Sequence, residues 1–339
     1  MGARDTAGSK VATGRICSSH LGEEALKDLV QRYGQFLNYC RRNGVLTPSV
    51  EAGALVTPQA IDGFIEELNG RVRPTTVAGN IYKVSRMARL LAPTLDFIWL
   101  TEIAKDLALV ADPLDKFPRV VMTERLVEVG LTLGKQAEIS NSSSLLARSL
   151  MARNGLMIAL LALCPIRLKN FSALRLGESF VQLEGTWWIL LRTTKSKRRD
   201  ERRVPSFLND LIQQYLRVYR PVLLSRGDIN GVGATGAQLL QDGVPHPTAL
   251  WIGRLGDGLS SSQVARCISA TTVATLGVDV SPHLFRAAFA TTAALYAPEM
   301  PNLAGAGLDH RHPSVVEESY RRTTSLAAAV DYAKLLNNL

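Results

Sequence analysis

The stretch GLDHRHPSVVEESYRR, at residues 307–322, contains side chains that can act on a phosphate group. Two of the chain's five histidines, His310 and His312, lie in it, and Tyr320 follows with two arginines directly behind it. An imidazole can bind a metal or transfer a proton, and a tyrosine hydroxyl can act as a nucleophile. The stretch therefore has three interpretations: a metal site, a charged surface helix, or the nucleophile segment of an enzyme that acts on phosphate.

The metal interpretation is the weakest of the three. His310 and His312 are two residues apart, so they point in different directions on a helix. A zinc site usually needs three or four ligands in a closed geometry, and no second ligand cluster accompanies this pair. The cysteines are far apart in the sequence and show no paired metal spacing; they are Cys17, Cys40, Cys164 and Cys267. We therefore predict no metal and no other cofactor.

Two further segments carry groups suited to an anionic ligand. Arg167 follows an apolar helix and a proline in CPIRLKNFSALRL, so it lies where the chain turns. His283 and Arg286 are three residues apart in SPHLFRAAFATTAAL, a spacing that puts both on one face of a helix. Each segment also has an ordinary alternative. Arg167 could pair with a carboxylate, and the second segment could be a capped helix with a surface arginine.

A basic segment, RTTKSKRRDERR at 192–203, carries seven lysines and arginines against two acids. It lies within 180–205, where alternating apolar residues and turn signals at Glu184–Gly185 and Ser196–Arg199 predict two or three short antiparallel strands. A charged hairpin tip is often only a solvated turn. It is also a shape that can enter a nucleic-acid groove or contact a phosphate.

The order of these segments is more specific than any one of them. PIRLKNFSALRL, TTKSKRRDERRVP, SPHLFRAAFAT and GLDHRHPSVVEESY follow one another over 160–320. In this order and rough spacing they resemble the catalytic domain of the tyrosine recombinase (phage integrase) family. That family acts in DNA recombination and DNA integration, commonly for mobile genetic elements. The helical region at 23–111 is similar to the family's N-terminal core-binding domain, with weaker motifs.

The resemblance implies a role for each matching residue. Arg167 and Arg286 match the arginine pair on the scissile phosphate, where guanidiniums can hold the oxygens without a metal. Lys195 matches the hairpin lysine that protonates the leaving 5′-hydroxyl, with Lys197 as the alternative. The implied reaction is site-specific cleavage and rejoining of DNA, without metal or ATP.

The other matching residues are His283, His310 and Tyr320. The resemblance implies that His283 accepts the tyrosine proton, His310 donates to a phosphate oxygen, and Tyr320 forms a covalent 3′-phosphotyrosine. The chain departs from the family's pattern at Asn170, where an acidic residue is frequent, and at Asp309, where glycine is usual. The interval from His310 to Tyr320 is ten residues, one longer than expected.

We expect a mainly α-helical fold with a small antiparallel β-sheet. The resemblance implies a helical N-terminal core-binding domain and a mixed α/β catalytic domain, which together close on DNA as a C-shaped clamp. The expected boundaries are a flexible leader at 1–22, the helical core DNA-binding domain at 23–111, a linker at 112–119, the catalytic domain at 120–322 and a tail helix at 323–339.

The charge of the chain favours a polyanionic partner. Its formal net charge is +9 and its sequence pI is about 9.6, and such an excess is typical of proteins that bind nucleic acid. We therefore predict double-stranded DNA as the partner. The residues expected to contact DNA are basic positions outside the apolar stripe of the helix that begins at Pro74, together with the hairpin; they are Lys83, Arg86, Arg89, Lys197, Arg198, Arg199 and Arg202.

Neither a membrane partner nor an oxidising compartment is indicated. The longest apolar run, LMIALLALCPI at 156–166, is about half of the roughly 18–20 residues that a membrane helix needs. It ends in proline and predicts a buried helix. Cys164 lies inside it, which favours a buried free thiol. We expect a cytoplasmic protein.

The tail at 323–339 predicts a short amphipathic helix, which could pack on its own domain or, as the resemblance implies, dock on a neighbouring protomer. The resemblance implies a homo-oligomer, with a dimer on one site and a tetramer on paired sites, and accessory proteins or a second recombinase are possible partners. Two alternatives stay open. One is a type IB topoisomerase-like enzyme that relaxes DNA, and the other is a non-catalytic DNA-binding protein with the same fold.

Overall fold

The computed structural model describes residues 22–46, 50–112, 117–140, 143–192, 199–229, 237–239, 245–297, 300 and 307–308. The chain divides into two compact units, Met1–Asp115 and Lys116–Leu339. We call them the N-terminal unit and the C-terminal unit and describe each by itself.

The N-terminal unit is helical in the part that the structure describes. Its helices are α1 (Glu23–Arg42), α2 (Pro58–Asn69), α3 (Pro74–Leu91) and α4 (Ile98–Val110), with a 3₁₀ turn at Ala52–Leu55. The start of α2 follows from its sequence, because the Thr57 hydroxyl accepts a bond from the amide of Ala60 at 3.2 Å and Pro58 occupies the first turn. Gly44, with a φ of 71°, follows the end of α1.

Apolar side chains of these helices form the core of the N-terminal unit. Phe36 of α1 and Phe64 of α2 are buried, with ring centroids 5.5 Å apart in an edge-on arrangement. The apolar face of α1 is only partly buried. Leu26 and Val30 are 38% and 52% exposed, and Cys40 is buried at the other end of the helix.

The C-terminal unit combines helices with a small sheet. Its elements are α5 (Thr123–Ile139), α6 (Leu145–Leu163), α7 (Leu168–Ser172), β1 (Phe180–Leu183), β2 (Thr186–Leu191), β3 (Asp200–Arg203), α8 (Asn209–Gln214), a π-helical turn (Tyr215–Tyr219), α9 (Arg220–Ile229), β4 (Ala237–Leu239), β5 (Pro245–Pro247), α10 (Ser261–Leu276) and α11 (Pro282–Tyr296). The strands β4 and β5 pair antiparallel.

Helix α6 is the central helix of this unit. It packs closely on α5, where Gly130 and Gly155 face each other and an added Cβ on either would collide with the partner backbone. Among the described residues, α6 is the one helix long and apolar enough to cross a membrane, and 61% of its apolar window is buried inside the structure. That burial favours the predicted role as a core helix.

The sheet has the order β1-β2-β3 and is antiparallel throughout. Glu184 and Gly185 form the turn between β1 and β2 with φ values of 48° and 79°, as a tight hairpin with a right-handed twist requires. The side chains of β2 alternate, with Trp187, Ile189 and Leu191 buried. The described residues thus confirm a mainly α-helical fold with a small antiparallel sheet.

Candidate active site

Arg167 lies at a sharp corner after the central helix. Helix α6 ends at Leu163, the amide of Ile166 donates to the carbonyl of Cys164 at 2.7 Å, and Arg167 is the N-cap of α7. Its φ and ψ of −63° and 139° are extended, so the chain changes direction at this residue, as its sequence predicts. The Arg167 side chain is half-buried.

The short helix after this corner is held in place by Trp251. The indole Nε1 of Trp251 donates to the carbonyl of Phe171 in α7 at 2.7 Å, and the two ring centroids are 4.9 Å apart. Both side chains are fully buried. A five-residue helix has few internal hydrogen bonds, so this anchoring fixes the position of the Arg167 corner on the core.

Arg286 reaches that corner from α11. Ser281 is the N-cap of α11 and Pro282 occupies its first turn, so the helix begins where the sequence predicts. The Arg286 residue is 8% exposed. Its Nη1 donates to the carbonyl of Pro165 at 2.5 Å, and its Nη2 donates to the carbonyl of Leu308 at 2.5 Å. The alternative of a surface arginine is therefore wrong.

His283 lies one turn before Arg286 on the same helix and is exposed. Phe285 between them is fully buried on another side of α11. The helix therefore presents a histidine to the outside at its N-terminal end while it directs an arginine inward toward two chain segments.

A second arginine meets the same C-terminal segment from the sheet. Arg202 of β3 donates from Nη1 to the carbonyl of Gly307 at 2.5 Å. Its Nε and Nη2 hold both carboxylate oxygens of Asp200, at 2.8–3.1 Å. The carbonyls of Gly307 and Leu308 are consecutive along the chain, and each accepts from a different guanidinium.

Apolar packing against α11 also holds Gly307 and Leu308 in place. Leu308 is 1% exposed and packs with Ala290 and Ala293 of α11, with Phe289 alongside. Gly307 lies so close to the Phe289 ring that an added Cβ would collide with it. The two residues before Asp309 and His310 are thus fixed by apolar packing and by two charged donors.

Cys164 is the buried thiol beside this cluster. Burial raises its pKa to about 12; the nearby Arg202 charge opposes that rise and the Asp200 charge adds to it. The thiol therefore stays protonated at neutral pH, as expected of a buried structural cysteine.

The structure brings together the Arg167 corner, Arg286, the base of the β3 hairpin and the start of the 307–322 segment. The predicted residues Lys195, Lys197, Arg198, His310 and Tyr320 lie outside the described residues. Arg199 is exposed at the start of the described part of the hairpin.

Sequence reasoning did not identify Asp200, Gly307 or Phe289 as part of this cluster. The signal for Asp200 was weak, because an acid beside a basic run is common on a solvated turn. Nothing in the pattern marks the contact between Gly307 and Phe289, since it joins residues of different segments.

The basic side chains predicted to face DNA on α3 have varied surroundings in the N-terminal unit. Lys83 forms an ion pair with Asp28 of α1 at 2.7 Å, and Arg89 donates to the hydroxyl of Thr101 in α4. Arg86 is half-buried. Their role as DNA contacts stays a prediction.

Metal binding has no visible site in the described part of the chain. Among those residues, no group of three or more histidine, cysteine, aspartate or glutamate side chains comes close enough to hold an ion. His310 and His312 are outside that part.

Comparison with known proteins gives a faint likeness. No family model and no curated protein sequence matches the chain. One solved structure that matches is a crystal structure of XerA recombinase. It is 16% identical, with 93% of this chain and 94% of that chain covered and a TM-score of 0.39.

Proposed function

We propose that the protein is a site-specific DNA recombinase that cleaves and rejoins DNA through a covalent 3′-phosphotyrosine. The observation that carries the proposal is the pair of hydrogen bonds from Arg286 to two backbone carbonyls. One carbonyl lies two residues before Arg167, and the other lies two residues before His310. A single buried guanidinium therefore joins two described segments, at Pro165 and Leu308, that come from separate motifs, which supports the proposal that those motifs act on one phosphate.

The charges suit a phosphate that passes through a crowded, negative transition state. Arg167 and Arg286 supply guanidiniums that can hold the non-bridging oxygens with charge-assisted bonds. A guanidinium has five N–H donors, so it can hold a backbone carbonyl and a ligand at the same time. Donors fixed in advance by the fold stabilise the transition state without reorganising during the reaction.

The nucleophile in this mechanism is the hydroxyl of Tyr320. A free tyrosine has a pKa of about 10, so it needs help to react at neutral pH. The arginine charges favour its anion, and His283 accepts its proton. The Tyr320 oxygen forms a bond to phosphorus as the bond from phosphorus to the 5′-oxygen breaks.

The leaving group receives its proton from the hairpin lysine, Lys195, with Lys197 as the alternative, while His310 donates to a non-bridging oxygen. The product is a 3′-phosphotyrosine and a free 5′-hydroxyl. When a 5′-hydroxyl of another strand attacks the phosphotyrosine, the steps run in reverse and Tyr320 is released. The phosphodiester is conserved, so the exchange requires no ATP.

The proposed partner is double-stranded DNA, bound in the cytoplasm by a homo-oligomer. The net charge of +9 supports this, because phosphate contacts by lysine and arginine supply most of the affinity for duplex DNA. Exchange between two sites needs two cleaving protomers on each, which is a tetramer on paired sites.

A nicked suicide substrate tests the proposal directly. The bound site is first selected from a pool of randomised duplexes. A nick is then placed on the 3′ side of each candidate cleavage position, so that cleavage releases a short fragment that bears the free 5′-hydroxyl and diffuses away. Wild-type protein should form a protein–DNA adduct that survives denaturation, and Tyr320→Phe should form none. Tyr296→Phe is the matched control, because this hydroxyl is exposed, bonds to Glu124 and lies at the far end of α11 from His283.

Three outcomes would contradict parts of the proposal. An adduct with Tyr320→Phe would exclude this tyrosine as the nucleophile. Loss of the adduct in EDTA would exclude the metal-free mechanism. Relaxation of supercoiled plasmid without strand exchange between two selected sites would favour the topoisomerase-like alternative.

A further inference from the structure

Arg202 was expected to contact DNA, yet its guanidinium is directed into the protein. Its side chain is only 11% exposed. One edge of the guanidinium holds the Asp200 carboxylate through Nε and Nη2, and Nη1 donates to the carbonyl of Gly307, 105 residues away in sequence. All three guanidinium nitrogens therefore donate to groups within the protein.

The partner of Arg202 is also built into the fold. The Asp200 side chain is 17% exposed and accepts bonds from Arg202 on both oxygens. Asp200 begins β3, directly after the tip of the basic hairpin. A carboxylate that holds one edge of a guanidinium fixes the direction of its other donors. Asp200 therefore aims Nη1 of Arg202 at Gly307.

Two neighbouring arginines, one on β3 and one just before it, provide a contrast. Arg203 and Arg199 are exposed, so either could bind a phosphate without breaking a contact to a buried group. Arg202 would have to leave a largely desolvated carboxylate unpaired to do the same, which is costly. Charge alone therefore does not assign these three arginines one role.

We infer that Arg202 is a positioning residue that holds Gly307 against β3. By holding Gly307, it positions the segment that carries the proposed nucleophile for DNA cleavage. The inference rests on the proposed function for its catalytic consequence, although the contact itself does not. Gly307 precedes His310 by three residues, and β3 follows the hairpin of Lys195. Arg202 thus couples the strand after the proposed general acid to the segment that carries the proposed nucleophile.

The first measurement needs no activity. Amide hydrogen exchange is followed in the free protein, in peptides covering 300–312, for wild type, Arg202→Met and Arg203→Met. Loss of the charge-assisted bond to Gly307 should let this segment open more often, so Arg202→Met should exchange at least about tenfold faster there than wild type. Arg203→Met removes the same charge from an exposed position and should match wild type. Equal exchange in the two variants would overturn the inference.

The second measurement separates positioning from DNA binding. At saturating nicked substrate, Arg202→Met should form the adduct at least about tenfold more slowly, with a Kd within about twofold of wild type. A DNA contact would behave differently. Loss of a DNA contact would raise the Kd and reduce the slope of log K against log salt by about one, and it would leave the rate at saturating substrate unchanged. That pattern would also overturn the inference.

Two further variants guard against misfolding. Arg202→Met leaves the largely desolvated charge of Asp200 without its partner. Asp200→Asn combined with Arg202→Met therefore tests the lost Gly307 contact without the unpaired carboxylate. Arg202→Lys keeps the charge but cannot hold Asp200 and Gly307 in the same fork, so its rate should stay below that of wild type. If wild type forms no adduct at all, the proposed function fails, while hydrogen exchange still decides the role of Arg202.

Discussion

The guanidinium of Arg286 donates to the carbonyl of Leu308, 22 residues further along the chain. The same group donates to the carbonyl of Pro165, 121 residues earlier. Because Arg286 is almost fully buried, both carbonyls lack water as an alternative partner and depend on it. One side chain therefore fixes the relative positions of three segments that the sequence keeps far apart.

We predict that Arg286→Lys destabilises the C-terminal unit. A lysine ammonium on its longer, flexible stem can bond one of the two carbonyls but cannot hold both in the geometry of a guanidinium. Loss of one charge-assisted bond should lower the free energy of unfolding by about 1.5–3 kcal/mol. Urea unfolding measures this, with Arg266→Lys on the exposed side of α10 as the control. Equal midpoints for both variants would show that the two bonds are not needed together.

The elements that position the site follow largely from local sequence signals. Pro282 occupies the first turn of α11, a position that proline favours, and the turn at Glu184–Gly185 joins β1 to β2 as expected. A helix start or a hairpin turn depends on residues that are close together in the sequence, so it can be predicted from a few neighbouring positions.

The contacts that join these elements do not follow from local signals. Arg202 and Arg203 are adjacent and identical in type, yet one is held by Asp200 and Gly307 while the other is exposed. Which arginine turns inward depends on the register of β3 against β2 and on a segment about a hundred residues away. A charge pattern predicts that a hairpin is basic, but it does not identify the member that the fold uses.

We predict that Gly307→Ala displaces the segment from α11. An added Cβ would collide with the Phe289 ring, and overpacking of this kind typically costs about 1–3 kcal/mol. The cost should mostly disappear in the Phe289→Leu background, because the smaller side chain leaves room. Gly79→Ala on α3 is a control of opposite sign. Its Cβ meets nothing within 4 Å, so the better helix propensity should stabilise the protein by up to about 1 kcal/mol.

Trp251 and Trp187 provide a matched pair for the anchoring of α7. The Nε1 of Trp251 donates to the carbonyl of Phe171, whereas the buried Nε1 of Trp187 has no hydrogen-bond partner within the described part of the chain. Change to phenylalanine removes similar volume in both cases. It removes a hydrogen bond only at Phe171, whose carbonyl would keep just the long bond from the amide of Leu174 at 3.4 Å. Trp251→Phe should therefore cost about 1–3 kcal/mol more than Trp187→Phe. Chemical unfolding of the two variants gives the difference, and equal losses would contradict the anchoring role.

The Cys164 thiol should remain unreactive across the neutral pH range. Burial raises its pKa to about 12, so at pH 8.5 only about 0.03% of the thiol would be ionised, against about half for an ordinary thiol. Since the thiolate is the reactive form, Cys164 should stay unlabelled in the native state between pH 7 and 9, while half-buried Cys267 is accessible enough to be alkylated. Mass spectrometry of iodoacetamide-treated protein measures both, and unfolding should equalise them. Native labelling of Cys164 at the rate of Cys267 would contradict its burial.

The predicted DNA-facing role of α3 is testable through the salt dependence of binding. If Arg86 contacts a phosphate, Arg86→Ala should weaken binding about equally to all duplexes and reduce the slope of log K against log salt by about one. Arg71→Ala is the charge-matched control, because Arg71 is 64% exposed and paired with Glu67 at 2.7 Å. It changes the net charge by the same amount without removing a predicted contact, so its slope should stay near that of wild type. Equal slopes for both variants, measured by fluorescence anisotropy over a salt series, would assign α3 a solvated face instead of a DNA-binding one.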